Sequence, residues 1–384
     1  MNYVSKGINE HKEPFFFIAT IIMTVKVLLD FNAILEMPDL IDNIMIAMSI
    51  LFYLIDIFYT RYYTFREILI GTIASILIFY TCMITKNYYL IMSYILIIAS
   101  IKKDTKKVVA LIYKTKIWYI FFLITIYITL CICTNLIDGE IIKDGRIALS
   151  LGFTHPNTAG IILFWIIVDK VYLNYEYIDL KKIINLIFEI LLIYLVTGCK
   201  TSFYMGSIFL MLIIIDKKKK VLFIKNIAKY IFVVSCIFII ISISIYMNKS
   251  GIFYNLIYNI DAIMTGRIRI GSKLLSIYGW SLFGQSVKLG NTMYDPYYGL
   301  TWVTIDGMYI DLFIRSGIIY MLIIGFLNYK YCNKERPGID YIVIILFSIY
   351  GLSEIHGLYI SISFPLLLVS TDYFKRNKRL NQCK

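Results

Sequence analysis

Long apolar runs recur along almost the whole of this chain, and they constrain it more than any other feature. They lie near 14–31, 41–59, 66–84, 87–101, 117–137, 155–173, 183–197, 202–215, 227–247, 307–327, 340–354 and 355–370. Roughly 20 such residues cover the hydrocarbon of a bilayer as a helix, and a helix satisfies its own backbone, as lipid requires. The runs therefore predict an all-α, polytopic integral membrane protein with about twelve transmembrane helices. Residues 1–384 read as a single transmembrane domain with short loops. Composition agrees: 59% of residues are hydrophobic and 16% charged, against about 45–50% and about 25% in soluble domains.

A net charge of +13 would suggest nucleic acid in a soluble protein. In a membrane protein the positive-inside rule explains it, because cytoplasmic loops collect Lys and Arg. No nucleic-acid partner is expected. Assigning alternate loops to opposite sides puts 27 basic residues on the side of the termini and nine on the other. Both termini are thus expected in the cytoplasm, with the chain multi-pass in the cell membrane. Lys217–Lys220 reads as a topology anchor. The seven Cys show no CxxC pair and the three His are dispersed, so neither a metal site nor a disulfide framework is expected.

One expected outer stretch is long. Residues 248–306 form a large extracellular loop, which holds Trp280, Trp302 and Tyr294 and is too aromatic for disorder. Loops of this length are often functional. Its segment Thr265-Gly266-Arg267-Ile268-Arg269-Ile270-Gly271-Ser272-Lys273 puts cations on the side that usually lacks them. If helical, it sets Arg269 and Lys273 on one face while Arg267 points away. Phosphate binding through bidentate Arg and snorkelling to lipid headgroups both fit.

Leu151-Gly152-Phe153-Thr154-His155-Pro156-Asn157 opens the sixth run from the outside. Pro156 suits the first turn of a helix, which leaves His155 at its mouth, as a proton relay or phosphate ligand or as a plain cap. Lys200, in the outer turn Thr197–Ser202, adds a cation to that face, and Arg146 is a further one. Arg315 falls inside the tenth run, where a charge is costly; Glu354 is a candidate partner. Asp306 is expected to cap the helix that follows it.

These residues carry a resemblance. Leu151–Asn157 resembles the G-[FY]-x-H-P-N motif of Wzy-type polysaccharide polymerases of capsule and exopolysaccharide clusters. Thr265-Gly266-Arg267, Leu282-Phe283-Gly284 and Asp306-Gly307-Met308-Tyr309 followed by Gly317 resemble the region those proteins share with O-antigen polymerases and ligases. Two departures stand out: Gly307 where Asn is frequent, and Cys199-Lys200-Thr201 where an S-R-T turn is frequent.

The resemblance implies a metal-independent glycosyltransferase without cofactors, acting at the outer face of the cytoplasmic membrane. It would polymerise oligosaccharide repeat units carried on undecaprenyl pyrophosphate. Implied catalytic residues are His155, Arg267 and Asp306. Substrate contacts would come from Arg269, Lys200, Asn157, Lys273, Arg146, Trp280, Trp302 and Tyr309. Implied partners are the lipid-linked oligosaccharide, membrane lipid, and the flippase and chain-length regulator of the same pathway. The alternatives are a lipid-linked oligosaccharide flippase, which should place charges along a central path between similar halves, and a ligase moving glycan to another acceptor.

Overall fold

The computed structural model describes residues 14–35, 37–59, 63–134, 140–143, 146–218, 220–249, 251–290, 292–295, 299–302 and 304–374. It is all-helical, with 79% helix and almost no strand. The first part runs α1 (Pro14–Leu29), α2 (Asp39–Tyr59), α3 (Phe65–Thr85), α4 (Tyr88–Ser100) and α5 (Thr105–Thr134). A small antiparallel hairpin follows, β1 (Glu140–Lys143) with β2 (Arg146–Leu149). Then come α6 (Pro156–Leu173), α7 (Leu180–Thr197), α8 (Lys200–Lys217) and α9 (Val221–Asn248).

The expected outer loop is not irregular. It holds α10 (Ile252–Ile263), α11 (Arg267–Tyr278) and a second hairpin, β3 (Thr292–Asp295) with β4 (Gly299–Trp302). The chain ends with α12 (Met308–Asp311), α13 (Ile318–Cys332), α14 (Gly338–Tyr350) and α15 (Pro365–Phe374).

Among the described residues, five helices are long and apolar enough to cross a membrane: α2, α3, α5, α6 and α9. Only 17% of the apolar window of α2 and 11% of that of α3 are buried, against 72% for α6. Exposed apolar surface on this scale has no stable place in water.

Two expected spans are broken. The run 307–327 is three pieces: α12, a π-helical turn over Leu312–Ser316, and α13, with Gly317 between at φ +109. The run 355–370 is a 3-10 turn at Ile355–Leu358, a non-helical stretch at 359–364, and α15. Pro365 opens that last helix, where its missing N–H costs nothing. In the stretch before it, the amides of Ile362 and Ser363 turn back to the carbonyl of Tyr359 at 2.8 and 2.9 Å.

The chain forms two compact units. One comprises 1–68, 92–220 and 359–384; the other comprises 69–91 and 221–358. In the first, Leu28, Tyr119, Leu123, Phe153 and Ile162 belong to one buried core where α1, α5 and α6 meet. Lys116 of α5 and Asp169 of α6 form an ion pair of 2.6 Å in that unit, and neither side chain is more than 1% exposed. The Lys116 ammonium also donates to the Ile362 carbonyl at 2.7 Å.

In the second unit α14 is buried along nearly its whole length and packs on α9. Phe232 of α9 stacks on Phe347 at 6.3 Å and meets Tyr309 at 5.2 Å. The break at Gly317 is spliced by the extended segment after α11. Ser281 donates its N–H to the Phe313 carbonyl at 3.2 Å and accepts from Ile318 at 2.8 Å, while Gln285 donates to the Arg315 carbonyl at 3.0 Å. Backbone groups released by the interrupted helix thus find partners inside the protein, as lipid requires.

The splice depends on Gly317. A Cβ there would stand 2.6 Å from the Leu282 carbonyl oxygen and 2.7 Å from the Gly284 nitrogen, both backbone atoms. Gly317→Ala is expected to cost roughly 2–4 kcal/mol through strain and overpacking. Gly325→Ala, where the new methyl meets only the Phe232 ring edge at 3.3 Å, should be nearly neutral. Thermal unfolding of the two purified variants in detergent checks the contrast.

Candidate functional site

In the first unit the Leu151–Asn157 segment is fixed residue by residue. Gly152 has φ +87, and a Cβ on it would lie 2.8 Å from the Ile34 side chain. Phe153 is buried in the core, and Thr154 donates its N–H to the Phe31 carbonyl at 2.8 Å. His155 is the N-cap of α6, its Nδ1 accepting from the Asn157 amide at 3.0 Å, with Pro156 in the first turn. The capping alternative is therefore the observed one. Nδ1 is committed as an acceptor, so proton transfer by this exposed ring falls to Nε2.

Gly160, one turn into α6, lets the turn before α8 come close. A Cβ on Gly160 would meet the Cys199 Cβ at 2.5 Å and the Thr197 hydroxyl at 2.9 Å. The structure thus brings Lys200, exposed at the start of α8, beside the helix mouth that carries His155 and Asn157. Arg146 opens β2, which packs on α7 and leads into this segment; its side chain lies outside the described residues.

The second unit gathers the other group. Arg267 begins α11 after Gly266, which is left-handed at φ +83. Its guanidinium is 8% exposed and pairs with Glu354 at 2.7 Å. It also donates to the Met264 carbonyl at 2.9 Å, to the Ser353 carbonyl and to the Thr265 hydroxyl. Four of its five N–H groups are therefore spent inside the protein. These contacts leave little of the guanidinium for the bidentate pyrophosphate grip that the sequence suggests. His356 stands on the other carboxylate oxygen of Glu354, at 3.6 Å.

The turn that Arg267 holds is also where residues 306–309 arrive. The Met308 amide donates to the Gly351 carbonyl at 2.8 Å, and a Cβ on Gly307 would lie 3.2 Å from the Leu352 carbonyl oxygen. Asp306 is not the helix cap: Gly307 holds that position, without a side-chain bond. Instead the Asp306 carboxylate is half-buried and makes no hydrogen bond or ion pair with the described residues. Tyr309 is fully buried and donates to the Ser348 carbonyl at 2.8 Å. It is a core residue, and its hydroxyl faces the protein backbone.

Arg269 and Lys273 share one face of α11, both half-buried. The Arg269 guanidinium folds back to 2.8 Å from where a Gly266 Cβ would stand. The N-terminus of α11 is capped by Asp261, whose carboxylate accepts from the amides of Ile268 and Arg269 at 2.8 and 3.1 Å. Burial pushes the Asp261 carboxyl up from its ordinary range, while those N–H groups and the two arginines pull it down. Trp280 is half-exposed, edge-on to Phe313 at 5.2 Å. The Trp302 side chain lies outside the described residues.

Arg315 pairs with Asp311 at 2.5 Å, one turn back on its own segment, and Asp311 also accepts from Ser316 at 2.5 Å. Glu354, expected as the partner of Arg315, belongs to Arg267. The Glu354–His356 pair is what the sequence reading missed as site chemistry. Its one sequence signal is an acid inside an apolar tail, which always needs a partner.

Comparison with protein-family models, with curated proteins and with solved structures returned no match.

Proposed function

We propose that the chain is a membrane glycosyltransferase that polymerises undecaprenyl-pyrophosphate-linked oligosaccharide repeat units into capsule or exopolysaccharide. In this reading it crosses the cytoplasmic membrane about twelve times, with both termini inside and the reaction at the outer face. The supporting observation is convergence in the second unit. Thr265-Gly266-Arg267, Asp306-Gly307-Met308-Tyr309 and the turn 351–356 are far apart in sequence, yet the buried Arg267–Glu354 pair and the backbone contacts of Gly307 and Met308 bring them to one turn.

The chemistry needs a base for the attacking sugar hydroxyl and cations for the leaving group. The hydroxyl oxygen bonds to the anomeric carbon of the donor glycan, the bond from that carbon to the pyrophosphate oxygen breaks, and the lipid pyrophosphate departs. Asp306 takes the hydroxyl proton; it is half-buried and has no hydrogen bond or ion pair among the described residues, whereas His155 already spends Nδ1 on its helix. Arg269 and Lys273, on one face of α11 in the same unit as Asp306, supply positive charge for the pyrophosphate. Arg267 works through Glu354 as a positioning residue. Trp280 and Trp302 are aromatic platforms for sugar rings. The flippase and chain-length regulator of the pathway are the partners in this reading.

One observation favours a second reading. The buried Lys116–Asp169 pair beside the unwound 359–364 stretch is the kind of intramembrane charge that transporters use. Purified protein in vesicles with lipid-linked repeat units separates the cases. A glycan ladder is expected, and Asp306→Asn should reduce its rate by roughly 10²–10⁴-fold. Transfer of glycan to a different acceptor would make the protein a ligase. Movement of the lipid-linked unit without new bonds would make it a flippase.

A further inference from the structure

Helix α10 is short and faces the wrong way for a water-exposed loop. Its twelve residues extend about 18 Å, well below the ~30 Å of bilayer hydrocarbon. Yet Ile252, Phe253, Leu256 and Ile263 are 90%, 66%, 55% and 73% exposed. The buried positions, Ile257 and Asp261, form a narrow stripe one turn apart beside the exposed apolar face, where Asp261 caps α11. A surface helix in water turns its apolar stripe inward; this one turns it outward. Lipid around a spanning helix accounts for such exposure on α2 or α9, but α10 cannot span.

Two further observations fix what covers it. Only residues 249–251 separate α10 from the end of α9 at Asn248, and positive φ at Lys249 (49) and Gly251 (96) turns the chain there. Across that turn runs a file of tyrosines. Tyr246 of α9 meets Tyr254 of α10 at 5.7 Å, and Tyr254 meets Tyr258 at 6.2 Å. Tyrosines gathered at the end of a spanning helix mark headgroup depth.

We propose that α10 lies in the membrane interface beside the end of α9, with Ile252, Phe253, Leu256 and Ile263 inserted among the acyl chains. Its partner is the lipid surface itself. The helix then acts as a float for α11, because Asp261 and the Thr265–Gly266 turn tie the two together. Arg269 and Lys273 are thereby held near the depth of lipid phosphates. The inference rests on membrane insertion alone and stands apart from the glycosyltransferase reading.

The test uses the full chain in phosphatidylcholine vesicles, with Leu256→Trp and Ile263→Trp as separate variants and wild-type fluorescence as background. Lipids brominated near the headgroup should quench each added tryptophan more than lipids brominated at mid-chain, as fits the ~5–10 Å depth of an interfacial helix. Quenching by aqueous iodide instead would put α10 in water. Stronger quenching at mid-chain would make it a membrane-crossing segment, and no quenching by either would mean that protein covers the face. Each of these three results overturns the proposal.

Discussion

Lys116→Met should destabilise the protein by about 3–5 kcal/mol, the range for breaking a buried ion pair by removing one partner. Asp169 is fully buried, and its Oδ1 has no hydrogen bond among the described residues. Without the ammonium at 2.6 Å the carboxylate would be charged in an apolar interior with nothing opposite it. The Ile362 carbonyl would lose its donor as well. Asp169→Leu should cost a similar amount, because it strands the lysine. The double variant Lys116→Met/Asp169→Leu should recover most of the loss, since an apolar pair of similar volume commonly replaces a buried ion pair without penalty. A residual deficit of about 1–3 kcal/mol is expected from the orphaned carbonyl. Thermal unfolding of the four proteins in one detergent gives the coupling directly. Strict additivity of the two single losses would show that the pair does not act as a unit.

How much of this was legible in the sequence depended on how local each cause is. Leu151–Asn157 could be read because its determinants lie within a few residues: Pro156 begins α6 and His155 caps it. The long apolar helices α2, α3, α5, α6 and α9 announce themselves through averaged hydropathy. The same averaging hides the break at Gly317, since a run 307–327 stays apolar whether or not one glycine turns to φ +109. It also merges 355–370 into one run, although Lys116, far away in sequence, is what ties the unwound carbonyl of Ile362.

Charge pairing was harder still. Glu354 lies 87 residues from Arg267, a separation that no spacing rule detects. In the sequence it is only a candidate partner for Arg315, in the neighbouring apolar run. Asp311, one helical turn before Arg315, was the nearer partner by the i,i+4 rule. Asp306 shows the opposite case: a residue type suited to capping, placed one position too early to cap, so that Gly307 is the N-cap instead.

Arg267→Ala should lose about 3–5 kcal/mol of stability, because it leaves Glu354, 5% exposed at its side chain, without its counter-charge. The carbonyls of Ser353 and Met264 lose their donor in the same step. Arg267→Lys keeps the charge but not the fan of donors. One ammonium cannot reach Glu354, Ser353, Met264 and Thr265 together, so a loss of about 1–3 kcal/mol remains. Glu354→Gln tests the same contact from the other side; its amide oxygen still accepts from the guanidinium, so the cost should be smaller than for Arg267→Ala. In the proposed polymerisation the positioning role and direct pyrophosphate contact part ways. If Arg267 acts by holding the 351–356 turn against residues 306–309, Glu354→Gln and Arg267→Lys should lower the rate together, each in step with its loss of stability. If Arg267 touches the pyrophosphate, Arg267→Lys should lose rate while its unfolding temperature stays near wild type, and Glu354→Gln should polymerise normally. The internal commitment of four N–H groups predicts the first pattern.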